Sequence, residues 1–144
     1  MAEAATARDV LEKLSAMFPG DELASREFYR IGDLAREFDV SLRTLRFYED
    51  RGLIQPKRSG STRLYSHEDR ARLKVILLIK SLGFSLVDIE KMLKLYDSDE
   101  SSGGLNTILS KFSEQMESLQ EQKVDIEKRI LDLDSASQRI RDML

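Results

Sequence analysis

Residues 40–53, VSLRTLRFYEDRGL, read as the second helix of a helix-turn-helix, closed at Gly52. Ser41 is placed to cap it, its hydroxyl accepting from a first-turn N–H that has no partner within the helix. Leu42 and Leu45, with Tyr48 and Glu49, fall at helical spacing, so Leu42 and Leu45 are expected to be buried. Arg43 and Arg46, three apart, then share another face, with Thr44 beside them. A guanidinium fork in that position can bond a guanine edge or clamp a phosphate when the helix lies in a major groove. Two arginines alone are better explained as a solvated charged face. The flanking sequence has to decide.

On the N-terminal side, residues 31–38, IGDLAREF, place Ile31, Leu34, Ala35 and Phe38 on one face of a short helix. Asp39-Val40 makes a tight connection, and Ala35 is the small residue where two helices would cross. On the C-terminal side, residues 54–66, IQPKRSGSTRLYS, open with Pro56, which blocks helix continuation. Ser59-Gly60-Ser61 reads as a turn between two short extended segments, with Leu64 and Tyr65 on the returning one. A small hairpin after a recognition helix is a wing. Lys57, Arg58 and Arg63 would reach phosphates or the minor groove beside that helix. The alternative is an ordinary basic surface loop.

Further along, Ser66 and Asp69 have the spacing of a capping box, and the helix they open ends at Gly83. Leu73, Ile76, Leu77 and Lys80 trace its inner side, with Val75, Leu78 and Ile79 also apolar. Ser85 and Asp88 repeat the spacing for a shorter helix, with Ile89, Met92, Leu93 and Tyr96 inward. Both are expected to be scaffold, and His67 a bystander. Residues 97–104, DSDESSGG, read as a linker; their carboxylates lack the ligand spacing of a calcium loop. Residues 1–28 form an N-terminal extension. Within it residues 5–18 suit a helix, with Val10, Leu11, Leu14, Met17 and Phe18 in a stripe and Pro19-Gly20 as its stop.

The last segment is strictly periodic. Leu105, Leu109, Phe112, Met116, Leu119, Lys123, Ile126, Ile130, Leu133, Ser137, Ile140 and Leu144 follow alternating steps of four and three. Only Lys123 and Ser137 interrupt the apolar register of this coiled-coil seam. A rod over 105–144 is roughly 60 Å long at about 1.5 Å per residue, and a second chain is expected to cover it.

Composition narrows the function. The chain has 144 residues, no cysteine and one histidine, which excludes disulfides, thiolate metal sites and cysteine nucleophiles. No apolar run of transmembrane length and no signal peptide is present, so a cytoplasmic location is expected. The net charge of -3 conceals a basic segment: residues 29–80 carry 12 Lys/Arg against 7 Asp/Glu, between acidic flanks. That segment alone calls for an anionic partner, of which nucleic acid is the common one. No nucleophile–base or phosphate-cradling arrangement supports an enzyme.

The ordered set resembles the MerR family of bacterial transcription regulators. The likeness is carried by Tyr29-Arg30-Ile31-Gly32-Asp33-Leu34-Ala35, by VSLRTLRFYEDRGL, by Arg63-Leu64-Tyr65-Ser66, and by Leu82-Gly83-Phe84-Ser85-Leu86 with Ile89. The resemblance implies a mainly α fold, with a winged helix-turn-helix DNA-binding domain over 29–96, its small β-wing included. The long C-terminal coiled-coil helix over 105–144 follows the 97–104 linker. It also implies an antiparallel homodimer, one winged module at each end of a palindromic promoter operator, which bends and untwists the DNA for RNA polymerase. Arg43 and Arg46 would then be recognition-helix contacts, Tyr48 a backbone contact and Arg63 the wing arginine. Ser41, Thr44, Lys57, Arg58 and Tyr65 complete the expected DNA-facing set. The chain departs from metal- and redox-sensing members in having no cysteine, and it ends at the dimerisation helix, so no appended effector domain and no cofactor are expected.

The expectation is therefore a dimeric, sequence-specific transcription regulator acting on double-stranded promoter DNA. Two other readings stand beside it: an excisionase-like or architectural DNA-bending protein without effector sensing, and a coiled-coil adaptor whose basic domain meets an acidic protein.

Overall fold

The computed structural model describes residues 5–16, 26–98 and 103–144. The chain divides into two compact units, Met1–Leu105 and Asn106–Leu144. The fold class is the expected one: helices throughout, with one small sheet.

Helix α2 (Ile31–Phe38) begins where the Asp33 carboxylate accepts from the Arg30 N–H at 3.0 Å. It ends at Asp39, whose φ of 52° is the only left-handed value of a non-glycine among the described residues. That residue reverses the chain into α3 (Leu42–Asp50). Ser41 caps α3 as expected, its hydroxyl accepting from Thr44 N–H at 3.0 Å. The far end is a complete Schellman closure: Gly52 N–H bonds Glu49 O at 2.9 Å and Leu53 N–H bonds Tyr48 O at 2.9 Å. Gly52 sits at φ 74°, where a side chain would be strained.

The buried face of α3 corrects the sequence reading. Leu45 is fully buried, but Leu42 is 40% exposed. A nine-residue helix has only about two and a half turns, and its inward row is the Leu45–Tyr48 step, continued by Leu53 beyond the helix end.

Strands β1 (Phe28–Tyr29), β2 (Lys57–Ser59) and β3 (Thr62–Ser66) form an antiparallel sheet in the order β1-β3-β2. The β2–β3 pair is the wing, with Lys57 opposite Leu64, Arg58 opposite Arg63 and Ser59 opposite Thr62. Its two-residue loop has Gly60 at φ 63°, the first central position of a type II′ turn. Strand β1 has no counterpart in the sequence reading, which divides the chain between Phe28 and Tyr29. It pairs Tyr29 with Tyr65, and both rings are fully buried.

Helix α4 (His67–Ser81) is the centre of the first unit, packed against β1, β3, α5 (Leu86–Asp97) and α1 (Ala7–Ser15). Leu73, Ile76 and Leu77 are buried as expected, and so are Val75 and Ile79, whereas Lys80 is exposed. The helix is enclosed on most sides, as its wide apolar side led one to expect, and the correction concerns Lys80 alone, which faces outward. Arg70 is buried too: its Nε donates to both oxygens of Glu37 at 3.1 and 3.0 Å, joining α4 to α2. Arg72 donates from Nε to Leu53 O at 2.5 Å and pairs with Asp97.

The expected N-terminal helix is present as α1, capped by a Thr6–Asp9 box in which each residue's N–H meets the other's side-chain oxygen, at 2.9 and 3.1 Å. Ala7 and Leu11 are fully buried. Arg8 donates from Nε to Tyr96 O at 3.2 Å, and the Tyr96 hydroxyl donates to Glu12 at 2.6 Å. Burial, with Glu12 as acceptor, raises the Tyr96 pKa. Met17, Phe18 and the Pro19-Gly20 stop lie outside the described residues.

Helix α6 (Gly103–Met143) begins earlier than expected, and Asp97 belongs to α5, so helices take both ends of the segment read as a linker. Residues 99–102 lie outside the described residues. In the second unit, Leu109, Met116, Leu119, Ile126, Ile130, Leu133 and Ile140 are each 46–68% exposed, while Phe112 is half-buried. Leu105, in the first unit, is half-buried. Among the described residues no helix is long and apolar enough to cross a membrane.

Candidate nucleic-acid interface

The turn at Asp39 and the Ser41 cap aim the outer face of α3 at solvent. Arg43 and Arg46 are exposed there, and among the described residues no carboxylate is paired with either. Thr44 is half-buried beside them, its hydroxyl 2.9 Å from that of Ser41. Phe47 is 45% exposed on the same helix. A groove of about 470 Å³ runs along this face, lined by Arg43, Thr44, Phe47, Tyr48, Lys80 and Leu86. Lys80 thus brings a cation from α4 to the arginine face. Sequence reasoning missed it by turning that lysine inward.

Tyr48 lies in the wall of the groove but is only 5% exposed, and burial raises its pKa. Tyr65 has no exposed surface, and its hydroxyl has no hydrogen-bond partner among the described residues. Its pKa is pushed up to about 12, by burial first and by the Glu49 carboxylate next. Strand alternation explains this: the β3 side chain paired with Tyr29 must face the core. Tyr65 is therefore corrected from a DNA-facing residue to a core residue.

The wing separates its three cations. Lys57 is exposed and unpaired among the described residues. Arg58 and Arg63 both bind Glu49, at 3.0 Å and 2.5 Å, with side-chain exposures of 54% and 23%. Burial would raise the Glu49 carboxyl, but the hydrogen bonds from Arg63 and Arg58 outweigh it, and its pKa is lowered. Sequence reasoning had Glu49 only as a helical-spacing residue. A carboxylate on the recognition helix, followed by a hairpin with basic residues on both strands, was the signal available.

A second groove of about 420 Å³ lies between the start of α2 and the wing tip, lined by Arg30, Asp33, Arg36, Ser61, Thr62 and Arg63 among others. Arg36 is held by Asp33 at 2.9 Å. Arg43 and Lys80 share one groove, and Glu49 on the same helix α3 gathers Arg58 and Arg63 of the wing, so cations from three elements collect around α3. Such a collection can neutralise several phosphates while the bare arginines reach base edges. No group of metal-ligating residues occurs among the described residues.

Comparison with known proteins gives this arrangement a family. The pattern described as MerR HTH family regulatory protein matches residues 29–95, and the one described as MerR, DNA binding, matches residues 70–143. The mercuric resistance operon regulatory protein of Bacillus cereus is 41% identical over 75 residues, 51% of this chain and 57% of that protein. The HTH-type transcriptional regulator ZntR of Escherichia coli is 39% identical over 69 residues, 46% of this chain and 49% of that protein. The chain spans about half the length of these curated relatives. Among solved structures, a MerR-family transcriptional regulator from Bacillus cereus superposes with a TM-score of 0.69 at 26% identity, covering 79% of this chain and 83% of that one. The N-terminal part of MtaN, the Bacillus subtilis multidrug transporter activator, gives 0.59 at 30% identity, covering 75% and 96%. HiNmlR, a MerR family regulator lacking the sensor domain and bound to promoter DNA, gives 0.53 at 28% identity, covering 73% and 79%. With both family patterns matched in order and the winged fold in common, the chain belongs to the MerR family of helix-turn-helix regulatory proteins.

Proposed function

We propose that this protein is a dimeric, sequence-specific DNA-binding transcription regulator, not an enzyme, acting in the cytoplasm on promoter DNA together with RNA polymerase. The observation that carries this reading is the outer face of α3, where Arg43 and Arg46 stand exposed and without a carboxylate partner among the described residues. That HiNmlR, a structural neighbour of the same family, is bound to promoter DNA supports the reading. Arg43 and Arg46 read the major groove, with Ser41, Thr44 and Lys80 beside them, and Lys57 with Arg58 contacts phosphates next to the wing. Tyr48 lies in the groove wall beside the DNA backbone.

The dimer forms through the exposed seam of α6. An antiparallel arrangement in which paired positions sum to 249 sets Leu109 against Ile140′, Phe112 against Ser137′, Met116 against Leu133′, Leu119 against Ile130′ and Lys123 against Ile126′. This leaves no apolar seam residue from 109 to 140 uncovered. A parallel pair would instead stack Lys123 on Lys123′, two like charges in the seam. In the antiparallel pair the lysine stem lies on isoleucine and its ammonium reaches water. Two winged modules then sit at opposite ends of a palindromic operator, and the energy of their contacts is available to bend and untwist the DNA between them.

Selection of bound duplexes from a random pool, followed by salt titration on the winner, tests the DNA reading. A palindromic consensus with a steep salt slope is expected. Binding without a consensus supports an architectural protein instead, and no salt-steep binding supports the adaptor. For the dimer, Leu109→Cys and Ile140→Cys variants of this cysteine-free chain are expected to cross-link when mixed and not when oxidised separately; a 109–109′ link points to a parallel pair.

A further inference from the structure

The hairpin register sets Arg58 directly opposite Arg63. Like charges in that relation weaken a strand pair, and a short two-stranded ribbon is marginal by itself. A single carboxylate from another element answers both problems. Glu49 of α3 accepts from Arg58 through Oε1 at 3.0 Å and from Arg63 through Oε2 at 2.5 Å. Its side chain is only 15% exposed, so solvent screens this contact less than it screens an ordinary surface pair. Glu49 also lies on the same helix as Arg43 and Arg46, six and three residues further on.

We propose that Glu49 is a positioning residue that sets specificity: it fixes the wing to the recognition helix as one body and withholds Arg58 and Arg63 from indiscriminate phosphate capture. The proposal rests on the DNA-binding reading above. A wing that is free to swing, with two uncompensated guanidinium groups, binds any phosphate backbone. A wing held against α3 contacts only the phosphates that lie at a fixed offset from the bases read by the helix. Glu49 thereby converts a general electrostatic attraction into one that depends on register with the bases.

The test compares the full chain with its Glu49→Gln and Glu49→Asp variants. Each protein is titrated with the selected operator and with an unrelated duplex at several salt concentrations, and amide exchange is followed in the free protein. Glu49→Gln keeps the shape and removes the charge. Its affinity for unrelated DNA is expected to rise, with a salt slope steeper by about 0.9, the value of one added phosphate contact. Its operator affinity is not expected to rise, so the ratio of operator to unrelated binding falls about three- to tenfold. Amides of residues 57–66 are expected to exchange faster while those of α4 do not. Glu49→Asp keeps the charge and shortens the reach, so the slope on unrelated DNA stays as in the parent while wing exchange still accelerates. Equal changes in both affinities for Glu49→Gln, or unchanged wing exchange in both variants, overturn the proposal. Should Glu49→Gln not fold, Glu49→Asp decides it, through wing exchange and a lowered operator ratio. Failure of the parent to bind any duplex removes the DNA reading and the specificity role with it, whereas the exchange measurement, made without DNA, still decides whether Glu49 holds the wing.

Discussion

Arg70 is 4% exposed, lies within 6 Å of the Phe38 and Tyr29 rings and meets both oxygens of Glu37, whereas Arg43 and Arg46 stand in solvent with no such partner among the described residues. The two settings ask different things of the same side chain. A buried guanidinium must be matched in charge and hydrogen bonding, because an unmatched one costs several kcal/mol. An exposed one loses little while it waits, and its charge and donors remain available to a ligand. Arg58 and Arg63 fall between, each paired but on the surface side of the molecule.

Replacing Glu37 by Gln removes the charge facing Arg70 and strikes the inward setting. A loss of about 3–5 kcal/mol in denaturant-measured stability is expected, as for other broken buried pairs. A change within the range of surface substitutions would mean that Arg70 is solvated in solution. Arg43→Ala strikes the outward setting: about 1–3 kcal/mol of operator affinity is lost, with relaxed preference at one position per half-site and an unchanged melting temperature. Equal weakening on every sequence would make Arg43 a phosphate contact. The smallest effect concerns the intermediate case. The Glu49 carboxyl titrates below its ordinary value of 4.5, so its contribution to stability is complete above that value and is lost as pH falls through the folded one. Tyr65, the other titratable neighbour, stays neutral until about 12. Wing amides should therefore lose protection only below about pH 4.5, before the amides of α4 do; loss at neutral pH would dissociate wing order from Glu49.

Much of the fold was legible because its signals are local. The Ser41 cap, the Gly52 stop, the Ser59-Gly60-Ser61 turn and the period of α6 each depend on residues within a few positions of one another. What escaped was non-local. No short-range pattern says that Phe28–Tyr29 will add a strand beside residues 62–66, so Tyr65 was assigned to the surface that its neighbours occupy. Nor does sequence spacing bring Glu49 to Arg58 and Arg63, nine and fourteen residues away. Lys80 of α4 escaped for a different reason: a helix buried against several neighbours has no single stripe, so which residue of its last turn faces outward was left to tertiary packing. The arginines of α3 were legible as exposed, since they fall off the Leu45–Tyr48 row that the helix buries.

Arg72 has a consequence in mechanical terms. One side chain on α4 grips the carbonyl of Leu53, the residue that completes the closure of α3, and also Asp97, the last residue of α5. Its two arms tether ends of the molecule that are far apart in sequence, so pulling on the end of α5 loads the bond at the end of α3. The tether works in both directions, and a load on the end of α3 is shared with the last turn of α5.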